Sequence, residues 1–167
     1  MPKPERDFDT SGFTLIEVLI LMSVIAIMAA TILPQLTAAN DDAMEAALRQ
    51  DLKLLRSQIE HYKFQHKGDY PAKGSIYPED FLDAMLRSSD ADGTTGPAGS
   101  KPYGPYFIGQ LPPNPYTGGT RVRIVDDVAA EVPDNDPVEG WIYNPATGKI
   151  KANCTGTALD GTPLSRL

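Results

Sequence analysis

A long apolar run lies near the start of the sequence, and a longer stretch of mixed polarity follows it. Residues 13–33 are apolar except at four positions, Thr14, Glu17, Ser23 and Thr31. A helix of this length extends about 31 Å at roughly 1.5 Å per residue, enough to span the hydrocarbon core of a bilayer. The pattern therefore predicts a transmembrane helix.

Behind this run, apolar side chains recur with a heptad spacing that is typical of a helix packed along one face. The two series of positions are Leu48, Leu55 and Tyr62, and Leu52, Ile59 and His66. Charged residues lie mostly off this stripe, and Gly68 followed by Pro71 is expected to end the helix. His61 and His66 are five residues apart, which favours solvent-facing or stripe-edge positions over a shared metal site.

Pro34 lies between the two helical patterns. Proline removes a backbone hydrogen bond and clashes with the preceding turn, so the helix is expected to kink or loosen over residues 30–34. Alternatively, Pro34 only marks the exit from the membrane, and the helix restarts with Asn40 or Asp41 as its cap. Both interpretations predict a bend at residue 34.

The remaining sequence predicts an α+β globular domain, which we call the head. The segment YPEDFLDAMLRS has Pro78 at a suitable first helical position, and residues 90–120 are rich in Gly and Pro, as in an irregular connection. TRVRIVDD, GWIYN and KIKAN then predict three antiparallel strands. The face of the sheet expected to pack on the helical stripe is formed by Val122, Ile124, Trp141, Tyr143 or Ile142, and Ile150.

Charge and composition exclude several functions. The net charge is −7 and the 15 basic residues are scattered, which argues against nucleic acid as a partner. A single cysteine, Cys154, excludes an intrachain disulfide.

A membrane-anchored envelope enzyme could carry the same apolar helix, but the head has no nucleophile elbow, phosphate loop or metal-type spacing, so no enzymatic activity is expected. A binding module could use Tyr103, Tyr106 and Tyr116, although loop anchors are the simpler interpretation of these aromatics.

The residues GFTLIEV at positions 12–18 follow a polar leader and begin the apolar run. This arrangement resembles the N-terminal methylation signal of type IV pilins and type II secretion pseudopilins. The resemblance implies that prepilin peptidase cuts between Gly12 and Phe13 and methylates the new amine of Phe13. It divides the chain into a leader (1–12), a transmembrane and filament-core helix (13–35) and a periplasmic pilin-like globular domain (36–167). A conventional signal peptide is the alternative, since small residues follow the apolar core.

Glu17 is the residue that a signal peptide leaves unexplained. A carboxylate in hydrocarbon is costly and normally marks a function. The resemblance implies a role in filament assembly, in which the carboxylate pairs with the Phe13 amine of a neighbouring subunit or of its own chain. Alternatively, Glu17 lies near the cytoplasmic interface and reaches water without any role in assembly.

Within this family, the chain is most similar to the major pseudopilins of type II secretion. The sequence segments GQLPPNPYTGG and GWIYNPATGKIKAN carry that similarity. The single cysteine excludes the disulfide that is common in adhesive pilins. The implied partners are copies of the same chain, prepilin peptidase, an inner-membrane secretion or pilus assembly platform, and minor pseudopilins. The implied location is the inner membrane, crossed once, with the C-terminal domain in the periplasm. A type IV pilin or competence pilin is the alternative.

The segment DDVAAEVPDNDPVEG combines six acidic residues with no basic one. Such a loop is expected to repel itself. Ca²⁺ prefers several oxygen ligands, and major pseudopilins bind calcium in a C-terminal loop, so Asp134, Asn135 and Asp136 are calcium candidates. Alternatively, this acidic tip is only solvated, and no cofactor is needed.

Overall fold

The computed structural model describes residues 12–167, with the backbone alone for residues 33–38. The predicted leader therefore lies outside the described residues, except for Gly12. Two compact units are present, one ending at Asp41 and one formed by Asp42–Leu167. The elements are α1 (Leu15–Gln65), α2 (Pro78–Leu86), β1 (Ser88–Ser89), β2 (Thr95–Gly96), β3 (Arg121–Ile124), β4 (Glu139–Tyr143), β5 (Ile150–Ala152) and a final 3₁₀ turn (Leu164–Arg166).

Helix α1 contains both the apolar run and the amphipathic stretch. The helix does not restart at Asn40 or Asp41, because both residues lie inside it. The bend at Pro34 stays a prediction. After Gln65 the chain turns away where Lys67 and Gly68 take positive φ angles of 57° and 90°. The Gly68 N–H donates to the Lys63 carbonyl at 3.0 Å, a hydrogen bond typical of a glycine-terminated helix.

The predicted stripe of α1 forms one side of the core in the second unit. All six heptad residues are buried. Five of them, all except His66, belong to a cluster that also includes residues of α2, the sheet and the final turn. From α2 the cluster takes Phe81, Ala84 and Met85, and from the sheet Val122, Trp141, Tyr143 and Ile150. The packing of an amphipathic helix on a small sheet confirms the predicted α+β, pilin-like fold.

The larger sheet has the order β3-β4-β5 and differs from the prediction in one pair. Strands β4 and β5 are antiparallel, but β3 and β4 are parallel, so the prediction of three antiparallel strands is wrong. The reason is the connection through residues 125–138, which is long enough for the crossover that a parallel pair needs. A second, two-stranded sheet joins β1 to β2, and β2 lies within residues 90–120, which were predicted to be irregular.

Aromatic residues attach the Gly- and Pro-rich connection to α1. The Tyr106 hydroxyl donates to Gln65 Oε1 at 2.5 Å, and its ring lies 5.4 Å from that of Tyr62. His66 is buried rather than placed at the solvent or stripe edge as predicted. Its ring stacks on Tyr62 at 3.6 Å, and its Nε2 lies 2.8 Å from the hydroxyl of Ser89.

Candidate functional site

The start of α1 is held by a reciprocal pair of side chain to backbone hydrogen bonds. The backbone N–H of Thr14 donates to the Glu17 carboxylate at 3.4 Å, and the backbone N–H of Glu17 donates to the Thr14 hydroxyl at 3.3 Å. This is a capping box, which satisfies two backbone donors that the first helical turn leaves without a partner. Sequence reasoning missed it, although the spacing of Thr14 and Glu17 is its usual signal.

The other two polar side chains of the apolar run are satisfied by the helix itself. The Ser23 hydroxyl donates to the Ile20 carbonyl at 2.7 Å, and the Thr31 hydroxyl donates to the Met28 carbonyl at 3.0 Å. All four polar residues therefore have local partners. This matters in hydrocarbon, where no water is present to hydrogen-bond an exposed polar group.

In the part of the chain that the structure describes, no side chain buries the apolar residues of this segment. Phe13 is 78% exposed, and the large apolar residues from Leu15 to Ile32 are exposed as well. Among the described residues, one helix, Leu15–Ile32, is long and apolar enough to cross a membrane. So large an exposed apolar surface marks a site of contact with lipid or protein.

Gly12 lies three residues before the first residue of α1, Leu15, and is exposed. Among the described residues, a Cβ atom built on Gly12 would meet no atom within 4 Å. Packing against the described residues therefore does not require a glycine at this position. The cleavage role of Gly12 and Phe13, like the assembly role of Glu17, stays a prediction.

A second group of predicted site residues lies between β3 and β4. Asp134, Asn135 and Asp136 are close together, and each side chain is engaged by protein donors. In the part of the chain that the structure describes, no group of three or more His, Cys, Asp or Glu side chains is arranged to hold a metal ion. The calcium assignment of these residues stays a prediction.

Comparison with known proteins decides the family. Competence protein ComGC of Halalkalibacterium halodurans is 31% identical to this chain over 91 residues, which make up 54% of this chain and 80% of that protein. The chain belongs to the type IV pilin-like superfamily. This confirms the resemblance carried by GFTLIEV.

Two further relatives come from different systems. ComG operon protein 3 homolog of Bacillus licheniformis is 29% identical over 76 residues, 46% of this chain and 78% of that protein. Type II secretion system core protein G of Pseudomonas aeruginosa is 32% identical over 56 residues, 34% of this chain and 39% of that protein. No protein-family model and no solved structure matches the chain.

Membership in the superfamily also indicates whether the apolar helix is a membrane anchor or a signal sequence. Length and composition alone do not distinguish a membrane anchor from a signal sequence, since both are long apolar segments near the N-terminus. For a pilin-like chain, the helix Leu15–Ile32 fits an anchor that crosses the membrane once.

Proposed function

We propose that this pilin-like chain is a structural subunit of a type II secretion pseudopilus. Prepilin peptidase would process the chain after Gly12, and the mature subunits would assemble into a periplasmic filament that supports protein export. The observation that carries the proposal is the exposed apolar helix Leu15–Ile32. The few polar side chains in this helix form hydrogen bonds with nearby backbone groups. Such a helix can lie in lipid before assembly and against other copies afterwards.

The geometry of Glu17 is compatible with the predicted pairing to a neighbouring amine. Its Oε2 atom accepts the Thr14 N–H, which uses a fraction of the hydrogen-bonding capacity of an ionised carboxylate. A carboxylate with lone pairs to spare can also accept an ammonium donor. Cleavage before Phe13 would create that ammonium group only four residues from Glu17 and would leave the capping box intact.

Assembly would replace contacts between lipid and helix by contacts between helices. Lipid tails are as apolar as the leucine and isoleucine side chains, so apolar burial by itself does little to drive this exchange. A charge pair between Glu17 and the Phe13 amine would be strong in the low dielectric of a helix bundle. Glu17 would therefore favour the assembled state and fix the stagger between neighbouring helices.

The proposal places the chain in the inner membrane with its C-terminal domain in the periplasm. Its partners would be other copies of the chain, prepilin peptidase, the inner-membrane assembly platform and minor pseudopilins. The relatives are named as competence and secretion components, which supports a structural rather than an enzymatic role.

A competence pilin is the second candidate function. It is favoured by the two competence relatives, which this chain covers over 78% and 80% of their length, compared with 39% for the secretion relative. The secretion assignment is favoured by the segments GQLPPNPYTGG and GWIYNPATGKIKAN of the head, which resemble those of major pseudopilins. The two candidates share the anchor, processing and assembly, and they differ in the transported molecule.

A binding module built on the loop aromatics has less support. Tyr106 and Tyr116 pack against the core, so much of each ring is unavailable to a ligand. The backbone of Tyr103 pairs with Ser89, and its ring lies 5.6 Å from that of buried His66. These contacts agree with the interpretation of the three tyrosines as loop anchors.

Deletion of the gene in the native organism tests the proposal. We expect the deletion to reduce the proteins exported to the medium and to leave uptake of transforming DNA unchanged, with export restored by the wild-type gene. Loss of DNA uptake with normal export would instead support the competence candidate. Normal export and normal uptake would contradict both.

A further inference from the structure

The connection between β3 and β4 concentrates negative charge. We use the name acidic loop for residues 126–139, which include six carboxylates. Carboxylates this close raise the energy of the folded state unless a cation lies among them. The sequence within the loop offers none, because it has no lysine or arginine.

Arg123 reaches into the acidic loop from β3. Its Nε donates to Glu139 at 2.6 Å, its Nη2 donates to Asp134 at 2.8 Å, and its Nη1 donates to Glu131 at 3.3 Å. The side chain is 23% exposed, so these ion pairs are partly shielded from water. The flat guanidinium has donors pointing in several directions, which lets one side chain hold three carboxylates.

The Asp134 carboxylate is shared among protein donors. Its Oδ2 accepts from Arg123, while its Oδ1 accepts from the Asn153 side chain at 2.8 Å and from the Asp136 backbone N–H at 3.2 Å. The guanidinium of Arg123, followed by the Asn153 amide, holds the pKa of Asp134 below its usual range. The same carboxylate, followed by Glu139, raises the pKa of Arg123. Both groups therefore remain charged.

The other two calcium candidates are also engaged. Asn135 Oδ1 accepts the Thr155 N–H at 2.7 Å. Asp136 Oδ1 accepts the backbone N–H groups of Val138 and Glu139 at 2.7 and 3.0 Å. A Ca²⁺ ion needs six to eight oxygens converging on one point, whereas these oxygens converge on separate backbone donors. The three residues do not fit a calcium ion in this arrangement.

We propose that Arg123 provides the cation of the acidic loop, so that the head of this pilin-like subunit folds without calcium. Lys151 of β5 supports the same arrangement, since its Nζ donates to the Glu131 carbonyl at 2.6 Å. Three carboxylates contributed by distant parts of the loop thus meet one guanidinium from a neighbouring strand. The loop is fixed to the sheet by the protein's own positive charge.

The test uses the processed full-length chain in detergent, with Trp141 as the probe. Trp141 is the only tryptophan of the sequence and is fully buried, so its fluorescence reports unfolding of the head. We expect the wild-type Tm to be the same in millimolar Ca²⁺ and in EDTA. We expect Arg123→Gln to lower the Tm by roughly 5 °C or more, since it leaves the partly buried carboxylates of Glu131 and Glu139, and the exposed carboxylate of Asp134, without their cation.

Arg121→Gln is the matched control. It removes the same charge from the same strand, but Arg121 is 57% exposed and its ion pair to Glu79 is long, at 3.9 Å. We expect the Tm of this variant to stay close to the wild-type value. A Tm of Arg123→Gln no lower than that of Arg121→Gln, or a wild-type Tm raised by Ca²⁺, would overturn the proposal.

Asp134→Asn gives an independent result in case Arg123→Gln does not fold. The asparagine can still accept hydrogen bonds but has no charge for Arg123. We expect a lower Tm that is equal in Ca²⁺ and in EDTA. An unchanged Tm, or the loss of a calcium-dependent increase that the wild type shows, would mean that Arg123 is not the cation of this loop.

Discussion

The side chains of Thr14 and Glu17 each accept a hydrogen bond from the backbone N–H of the other residue, at 3.3 and 3.4 Å. Glu17 therefore has a local role at the helix start, in addition to the assembly role proposed for its charge. The two roles need different properties of the side chain. Capping needs an acceptor oxygen, whereas pairing with an amine needs a negative charge.

Substitutions at these two positions separate the roles. Glutamine keeps the acceptor and loses the charge, so Glu17→Gln should retain the capping box but reduce filament formation strongly. Thr14→Val removes the capping hydroxyl and keeps the charge, at a cost of about 1 kcal/mol in helix stability. We expect filaments of Thr14→Val to form at near wild-type levels, counted by electron microscopy after overexpression.

If Thr14→Val reduced filament formation more than Glu17→Gln, the result would show that Glu17 acts only in capping. In that case Glu17→Gln would assemble normally and Thr14→Val would be defective. Membrane fractionation provides the control, because both variants should insert at wild-type levels.

The buried stripe of α1 offers a test of the core with two adjacent leucines. Leu55 is fully buried, while Leu54 is 42% exposed. Leu55→Ala should lower the free energy of unfolding by about 2–5 kcal/mol, because it removes core contacts and leaves a cavity. Leu54→Ala should change it by less than about 1 kcal/mol. Denaturant titration monitored by Trp141 fluorescence measures the free energy of unfolding of both variants. Equal losses of stability would contradict the assignment of Leu55, and not Leu54, to the buried face of α1.

Buried tyrosines predict a loss of stability in alkali. Burial raises the pKa of Tyr62 and of Tyr106 to about 12, from an ordinary value of 10.0. The folded state therefore keeps protons that the unfolded state loses, and this contribution to stability is complete below pH 10.0 and is lost as the pH rises to about 12. Tm values measured across this range should fall steeply.

Tyr62→Phe identifies the contribution of one of these groups. The substitution keeps the ring that stacks on His66 and removes the hydroxyl that titrates. The decrease in Tm between neutral pH and pH about 12 should be smaller in this variant than in the wild type. Parallel curves for the two proteins would show that Tyr62 does not titrate as its burial predicts.

Local patterns account for what the sequence could predict. The heptad series ending at Tyr62 identified the packed face of α1, because burial along a helix repeats with its turns. Pro78 identified the first residue of α2, because proline suits a position whose N–H needs no helical partner. GFTLIEV identified the family, since it places a glycine and a glutamate at the start of a long apolar run.

Features that depend on distant contacts were not predictable in the same way. The parallel pairing of β3 with β4 depends on the path of the acidic loop, which local strand patterns do not encode. The cation of that loop is Arg123, which precedes the acidic run and reaches it only after the strands pair. His66 has a polar side chain on the buried stripe. It is accommodated because its Nδ1 donates to the Tyr62 carbonyl and its Nε2 lies within hydrogen-bond distance of the Ser89 hydroxyl.

The mature N-terminus tests the central claim most directly. We expect mass spectrometry of the protein purified from native envelopes to find a chain that begins at Phe13 and carries a methylated amine. A bulky substitution such as Gly12→Leu should block this processing while leaving the head folded, because residue 12 lies outside the compact unit Asp42–Leu167. An N-terminus within residues 30–40 would show signal-peptide cleavage and contradict the account.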